Sequence, residues 1–99
     1  MKDITVEELK NKINSGNELF ILDVREGWEY EEGNIEGSRN FSLYAIPENH
    51  DELNDWKEKE IIIHCKSGKR SKTAQQILTQ NGFDNTFNLL GGFDAWNNN

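Results

Sequence analysis

The stretch IIIHCKSGKRSKTAQQIL, residues 61–78, decides the fold of this chain. It opens with the apolar run Ile61 to Cys65, which is typical of a strand buried on both faces of a sheet. A short loop, Lys66 to Lys69, contains Gly68 and leads into a helix predicted from about Lys69 to Gln80. A strand, a short loop and a helix in immediate succession form the repeating unit of α/β folds.

Elements of the same kind lie on either side of this stretch. Phe20 to Val24 and Phe87 to Leu90 are two further apolar runs of strand length. Near the N-terminus, Thr5 and Glu8 make a capping-box pattern, which predicts a helix that Gly16 ends. Because strands and helices alternate, we predict a single α/β domain over all 99 residues, with a central, mainly parallel sheet flanked by helices on both faces.

The segments between these elements give weaker signals. Glu26 to Glu32 is predicted as a short helix and Asn40 to Leu43 as a short strand, whereas the segment around Pro47 is a short helix or a packed loop. The sequence GGFDAW at 91–96 begins a last short helix, and Trp28 is expected to be partly exposed. The side chains expected to face the core are Val6, Leu9, Ile13, Ile46, Leu53, Trp56, Ala74, Ile77, Leu78, Phe93 and Trp96.

The composition limits the classes of partner. The formal net charge is −7, so repulsion disfavours binding to nucleic acid or to anionic membrane surfaces. The N-terminal sequence MKDITVEEL lacks the apolar run of a signal peptide, and no segment is long and apolar enough to span a membrane. We therefore expect a cytoplasmic protein, by default a monomer, without nucleic-acid or membrane partners.

Cys65 is the only cysteine of the chain. No internal disulfide can form, and no second thiol is available to resolve an oxidised Cys65. The only histidines are His50 and His64, so the residues needed for a zinc site are missing. We expect neither a metal nor a cofactor.

The position of Cys65 between a strand and a helix favours reactivity. Ligands bind at the carboxyl ends of parallel strands, where the next helix presents unpaired backbone N–H groups and the positive end of its dipole. A thiol there should have a lowered pKa and be largely thiolate near neutral pH. Gly68 permits a turn that aims several amides at one point. The alternative is that Cys65 is a small buried hydrophobe, which is the commoner role of a cysteine at a strand end.

Charge is distributed unevenly along the chain. No acidic residue lies between Glu60 and Asp84. Cations at a helix N-terminus oppose the helix dipole by ~0.3–1 kcal/mol each, and a local conflict of this kind indicates function. We interpret the basic side chains of this window as holding an anion over the thiolate. They are Lys66, Lys69, Arg70 and Lys72.

Three motifs, in order, resemble the rhodanese homology domain over nearly the whole chain. CKSGKRS at 65–71 resembles the six-residue active loop Cys-x-x-Gly-x-Arg, followed by Ser at the start of a helix. LDVRE at 22–26 and EYEEGNIEGSRN at 29–40 resemble the Asp-Val-Arg and Gly-His-Ile-Pro-Gly-Ala-x-Asn signatures. NLLGGFDAW at 88–96 resembles the C-terminal signature. No single motif is specific, but the ordered set is.

This resemblance implies a sulfurtransferase. A sulfane sulfur would pass as a persulfide on Cys65 from a donor such as thiosulfate to an acceptor such as cyanide, a thiol or a protein. Asp23 and Arg25 match a signature that we interpret as an ion pair fixing the turn near the site, and Ser71 matches the supporting serine. The residues that match the anion-binding loop are Lys66, Ser67, Gly68, Lys69 and Arg70.

Three positions depart from the family pattern. Asn34 stands where the family often has His, Glu36 where it often has Pro, and Ser38 where Ala is usual. These positions lie outside the active loop. They bear on local rigidity rather than on the chemistry.

Two alternatives stay open. Cysteine-dependent phosphatases use His-Cys-x5-Arg, but Arg70 comes one residue too early, which leaves a loop suited to a single sulfur. His64 is then a strand residue that makes a hydrogen bond. The fold could also serve as a non-enzymatic persulfide carrier or partner-binding module. A thiol that stays protonated, or that is packed away from solvent, would contradict the sulfurtransferase interpretation.

Overall fold

The computed structural model describes residues 2–98, and within them five strands alternate with five α-helices. The strands are β1 (Lys2–Ile4), β2 (Phe20–Asp23), β3 (Arg39–Asn40), β4 (Ile61–His64) and β5 (Thr86–Leu89). The α-helices are α1 (Val6–Asn14), α2 (Gly27–Glu32), α3 (Ile46–Asn49), α4 (Lys69–Gln80) and α5 (Gly92–Asn97). Two 3-10 helices, Leu43–Ala45 and His50–Trp56, flank α3. No helix in this described part of the chain is long and apolar enough to cross a membrane.

The strands form one sheet in the order β1-β5-β4-β2-β3. Every pairing between neighbouring strands is parallel, which confirms the predicted architecture. In the register of β2 and β4, Asp23 lies beside His64. Because the strands run in one direction, their carboxyl ends meet at a single edge of the sheet, and the residues that follow them are brought together there.

Side chains of the central strand β4 belong to two hydrophobic clusters. Ile61 and Ile63 belong to one cluster and Ile62 to the other, since successive side chains of a strand point to opposite faces. All three side chains are at most 1 % exposed. The continuous apolar run therefore reflects a strand that is covered on both sides.

Helices cover both faces of the sheet, as predicted. Ala74 and Leu78 of α4 pack with Ile46 and Leu53 of the middle segment on one face. Leu9 of α1 is buried on the opposite face, against which α5 also packs. The predicted capping box of α1 is present, with both reciprocal hydrogen bonds between its first residues and the preceding threonine.

Strands β2 and β4 each end one residue before the predicted run, and three larger differences lie at β1, β3 and β5. Strand β1 is missing from the prediction, because three residues are too few to show a periodic pattern. The predicted strand Asn40 to Leu43 is wrong after its first residue, since Ser42 already caps a 3-10 helix. Strand β5 begins and ends one residue before the predicted run, and Leu90 is left 45 % exposed.

Burial of the large side chains also corrects part of the prediction. Ile13 is 40 % exposed, because it borders an open groove of about 620 Å³ that it shares with Leu19 and Trp96. Phe93 and Trp96 are only half-buried. Trp28 is 63 % exposed, in agreement with the expectation for that residue.

Candidate active site around Cys65

Cys65 follows β4 directly, at the carboxyl edge of the sheet. The loop after it turns through Gly68, whose φ of +113° lies in the region that favours glycine, and α4 begins at the next residue. This turn aims the Gly68 N–H at the Cys65 Sγ atom, 3.1 Å away. Within residues 2–98 no side chain caps α4, so the sulfur lies where a capping oxygen ordinarily would.

Ser71, one turn into α4, provides a second polar contact. Its Oγ lies 3.4 Å from the Cys65 Sγ and 2.5 Å from Asn88 Oδ1, and its one proton can be donated to either atom. The Asn88 amide in turn donates to the Gly68 carbonyl at 3.4 Å, so one side chain of β5 holds two parts of the loop. Sequence reasoning missed Asn88, although a polar residue within an apolar strand was the available signal.

The pKa of the Cys65 thiol is lowered below its ordinary value. Burial acts in the opposite direction, because it penalises the charged thiolate. The hydrogen bond from the Ser71 side chain and those from the backbone N–H groups of Ser71, Gly68 and Ser67 outweigh that penalty. The loop amides predicted around the thiolate are therefore the groups that favour its charge.

The exposure of Cys65 departs from the prediction. The residue is 1 % exposed and belongs to the same apolar cluster as Leu22, Val24 and Leu78. The chain turns back over the sulfur within three residues, so the amides that favour the thiolate also cover it. In this conformation the thiol is closed off from solvent, which contradicts the sulfurtransferase interpretation unless the loop opens to expose the sulfur.

The carbonyl groups on the other side of the loop are bound by α5. The N–H groups of Phe93 and Asp94 donate to the Cys65 and Lys66 carbonyls at 2.8 and 2.9 Å. This close docking needs Gly92, because a Cβ atom there would lie 2.6 Å from the Cys65 carbonyl oxygen. Helix α5 thus fixes the loop with its carbonyls turned away from the sulfur.

Arg70, the sixth residue of the loop, does not point freely into the site. Its two terminal nitrogens bind the two carboxylate oxygens of Glu29 at 2.7 and 3.0 Å. The hydrogen bonds from Arg70 lower the pKa of Glu29 to about 2, against the opposing effect of burial. This acidic partner lies on α2, forty-one residues earlier in the chain. The lack of acidic residues near Cys65 in the sequence therefore does not predict that Arg70 is unpaired.

The other basic residues of the loop are exposed. Lys66 pairs with Asp94 at 3.1 Å, but both side chains are at least half exposed, so the pair is weak. Lys69 and Lys72 are exposed, and within residues 2–98 neither makes an ion pair. Of the cations predicted to hold an anion, Lys69 alone lies in the active loop without a carboxylate partner among residues 2–98.

Asp23 and Arg25 form the predicted ion pair beneath the site. The Asp23 carboxylate accepts from the Arg25 side chain at 2.8 to 3.2 Å and from its backbone N–H at 3.0 Å. Arg25 also donates to the Gly33 carbonyl at 2.7 Å and stacks on the Phe93 ring. The pair thereby links the turn after β2 to α5, which holds the loop.

His64 lies beside this pair and is fully buried. Its Nδ1 lies 3.2 Å from the Cys65 carbonyl, which confirms the hydrogen bond expected of a strand residue. Its Nε2 has no hydrogen-bond partner and lies 3.7 Å from Asp23. Burial lowers the pKa of His64, although the Asp23 charge and the bond to Cys65 act against this. The ring therefore faces away from any reacting atom at Sγ, unlike a catalytic base.

A cleft of about 250 Å³ lies next to the loop. Its walls combine aromatic rings with both signs of charge, and Lys66 of the loop is part of its lining. The lining residues are Arg25, Trp28, Glu29, Glu32, Gly33, Lys66, Phe93 and Asp94.

Comparisons with known proteins identify the family. The sequence profile of the family described as rhodanese-like domain matches residues 5–99. The Bacillus subtilis protein YtwF, named as a sulfurtransferase candidate, is 38 % identical over 96 residues, which are 97 % of this chain and 90 % of YtwF. The thiosulfate sulfurtransferase GlpE of Coxiella burnetii is 32 % identical over 79 residues, which are 80 % of this chain and 72 % of GlpE.

Solved structures show the same fold. The crystal structure of a rhodanese-like domain protein from Staphylococcus aureus matches with a TM-score of 0.86 at 36 % identity, over 97 % of this chain and 91 % of that one. Profile, relatives and structure agree over most of the chain. It belongs to the rhodanese-like domain family.

Proposed function

We propose that this chain acts as one domain that transfers sulfane sulfur through a persulfide on Cys65. The observation that carries the proposal is the group of donors around one sulfur, namely the Gly68 N–H and the Ser71 hydroxyl, with the lowered thiol pKa that they produce. The family relationship supports it, since relatives of similar length are named sulfurtransferases.

In the first half-reaction the Cys65 thiolate attacks the outer sulfur of a donor such as thiosulfate. A new bond forms between the two sulfurs, the donor's own S–S bond breaks, and sulfite leaves with the electron pair. The negative charge then lies on the outer sulfur of the persulfide. Preorganised N–H groups stabilise charge of this kind without reorganising during the reaction.

In the second half-reaction an acceptor such as cyanide or a thiolate attacks the outer sulfur. The bond within the persulfide breaks, and the Cys65 thiolate is the leaving group. Its lowered pKa makes it a better leaving group. Because the chain has no second cysteine, the acceptor has to be another molecule.

Burial of Cys65 sets a requirement on both steps. A donor can reach a sulfur that is 1 % exposed only if the loop moves outward. We expect Lys69, exposed and without a carboxylate partner among the described residues, to attract the donor before this opening. Slow opening would leave the protein a persulfide carrier with little turnover, which is the second candidate function.

Mass spectrometry of the intact protein tests the persulfide directly. After incubation with thiosulfate we expect a gain of one sulfur atom, which reductant reverses and which Cys65→Ala lacks. A mass gain that persists in Cys65→Ala would contradict the proposal. Addition of cyanide then separates the candidates, because an enzyme forms thiocyanate over many cycles, whereas a carrier forms about one equivalent.

A phosphatase activity has its own test. Hydrolysis of p-nitrophenyl phosphate is expected to be absent, because Arg70 is held by Glu29 and the loop is one residue shorter than that class requires. Turnover that is lost in Cys65→Ser would support the phosphatase alternative instead.

A further inference from the structure

We infer that Glu29 determines which sulfur donors this site accepts: by holding the Arg70 guanidinium, it disfavours doubly charged donors and favours donors that carry a single negative charge. The inference rests on the proposed function, because it concerns the donor of the same persulfide. It assigns a specificity role to a residue outside the active loop.

The hold on Arg70 is tight. Two parallel N–H···O contacts of 2.7 and 3.0 Å join the guanidinium to the Glu29 carboxylate, the geometry in which such pairs are strongest. The Glu29 side chain is 12 % exposed, and its Oε1 also accepts from the Glu26 N–H at 2.9 Å. Glu29 is therefore fixed from both sides and cannot easily swing away.

This pairing changes the charge that a donor meets. The Arg70 guanidinium would be the natural partner for the sulfonate end of thiosulfate, but its charge and one N–H group of each terminal nitrogen are already paired with Glu29. Glu29 is ionised throughout the neutral range, since its pKa is about 2. A second carboxylate, Asp94, pairs with Lys66 at the same cleft. A dianion has to compete with Glu29 for Arg70 and meets repulsion from both carboxylates.

Two classes of donor differ in net charge but form the same persulfide. Thiosulfate carries two negative charges, whereas an organic thiosulfonate such as benzenethiosulfonate carries one. Both present an outer sulfur to the Cys65 thiolate and leave the same persulfide, with loss of sulfite from the first and a sulfinate from the second. Repulsion by Glu29 is about twice as large for the dianion.

The test compares the two donors in Glu29→Gln and in Glu31→Gln. Glu31 lies on the same short helix, is exposed and does not line the cleft, so its change removes the same charge without freeing Arg70. In Glu29→Gln we expect kcat/KM for thiosulfate to rise roughly threefold to tenfold, mainly through KM. The value for benzenethiosulfonate should rise only by about the square root of that factor, roughly 1.7-fold to threefold, because half the repulsion energy is removed. Glu31→Gln should leave the ratio of the two values as it is in the wild type.

Glu29→Asp provides a second variant in case Glu29→Gln does not fold. The shorter side chain keeps the charge but cannot reach both nitrogens of Arg70, so thiosulfate should gain in the same direction by a smaller factor. An equal change for both donors, or a loss for thiosulfate alone, would overturn the inference in either variant.

Failure of the proposed function can be told apart from failure of this inference. If neither donor forms a persulfide in the wild type, the proposed function is wrong. The charge effect is then measured by the concentration of sulfate that protects Cys65 from iodoacetamide. We expect this concentration to fall severalfold in Glu29→Gln, and an unchanged value would refute the inference.

Discussion

Two neighbouring strand-to-helix junctions at the same edge of the sheet differ in which groups accept hydrogen bonds from the backbone N–H groups. After β2, side chains satisfy the backbone, because Asp23 accepts from the Arg25 N–H and Glu29 accepts from the Glu26 N–H. After β4, the helix has neither a capping side chain nor an acidic residue in its first turn, within the described chain. There the Gly68 N–H points at the Cys65 sulfur.

The difference separates a junction held by ion pairs from one that holds the candidate nucleophile. The β2 junction is closed by its own charges and by the buried pair of Asp23 and Arg25. At the β4 junction an amide points at a thiol, whose charge can change and which would carry the transferred sulfur under the proposed function. A side chain of the β2 junction also contacts the β4 junction, since Glu29 pairs with Arg70.

The largest expected effect comes from breaking the closed junction. Asp23→Asn leaves Arg25, whose side chain is 5 % exposed, without its counter-charge, so we expect a loss of ~3–5 kcal/mol in the free energy of unfolding. Urea denaturation measures this loss. Asp94→Asn is the matched control, because its pair with Lys66 is exposed and should be worth less than ~1 kcal/mol. Similar losses in the two variants would mean that burial does not distinguish the pairs.

A methyl group at Gly68, which precedes α4, and at Gly27, which begins α2, tests the backbone of each junction. Gly68→Ala forces alanine into a φ of +113°, for which we expect a cost of ~1–2 kcal/mol and slower alkylation of Cys65 as its N–H moves. Gly27→Ala places the methyl group at least 3.8 Å from its neighbours, without a positive φ, and should change stability by less than ~0.5 kcal/mol. Equal effects in urea denaturation would contradict the proposed difference.

Removing the Ser71 hydroxyl tests how the β4 junction favours the thiolate. In Ser71→Ala the thiol pKa should rise, because one of the hydrogen bonds that stabilise the charge is lost. A hydrogen bond to a charged group is worth ~1.5 kcal/mol or more, so alkylation by iodoacetamide at pH 7 should slow by roughly tenfold. Thr73→Ala removes an exposed hydroxyl from the same helix and should react like the wild type. An unchanged alkylation rate in Ser71→Ala would mean that this hydroxyl does not stabilise the thiolate.

The smallest effect concerns pH and the buried His64, which connects the two junctions. Because its pKa is lowered in the folded state, the unfolded chain takes up the proton first, near its ordinary value of 6.5. Stability should therefore be fully present above pH 6.5 and fall below it, by at most ~1.4 kcal/mol for each pH unit. Unfolding midpoints at pH 7.5 and 5.5 measure this. In His64→Gln the difference between the two unfolding midpoints should be smaller than in the wild type. An equal difference would mean that other groups cause the pH dependence.

The sequence predicts the local parts of this molecule well. The strand, the glycine turn and the helix around Cys65 are contiguous, so spacing alone gives their order and the position of the thiol. The pair of Asp23 and Arg25 is also local, being two residues apart. Strand β1 is a local element that was missed, because its three residues gain their structure from pairing with β5.

What could not be predicted depends on residues far apart in the chain. Glu29 reaches Arg70 and Asn88 reaches Ser71 only because parallel strands bring their carboxyl ends together. Charge counted along the sequence made the loop look strongly basic, whereas folding pairs two of its cations with carboxylates. Burial of Cys65 likewise follows from the turn of the loop over the sulfur, and hydrophobic patterns do not report it.

Because all strands run in one direction, the two edges of the sheet differ in how well they tolerate an inserted peptide. The chain enters β2 at the edge opposite Cys65, through a turn in which Asn17 and Glu18 are exposed and no neighbour crowds Gly16. A peptide inserted between Asn17 and Glu18 would extend away from the sulfur. The molecule could thus be immobilised on a sensor surface by this turn, with its reactive edge facing the solution.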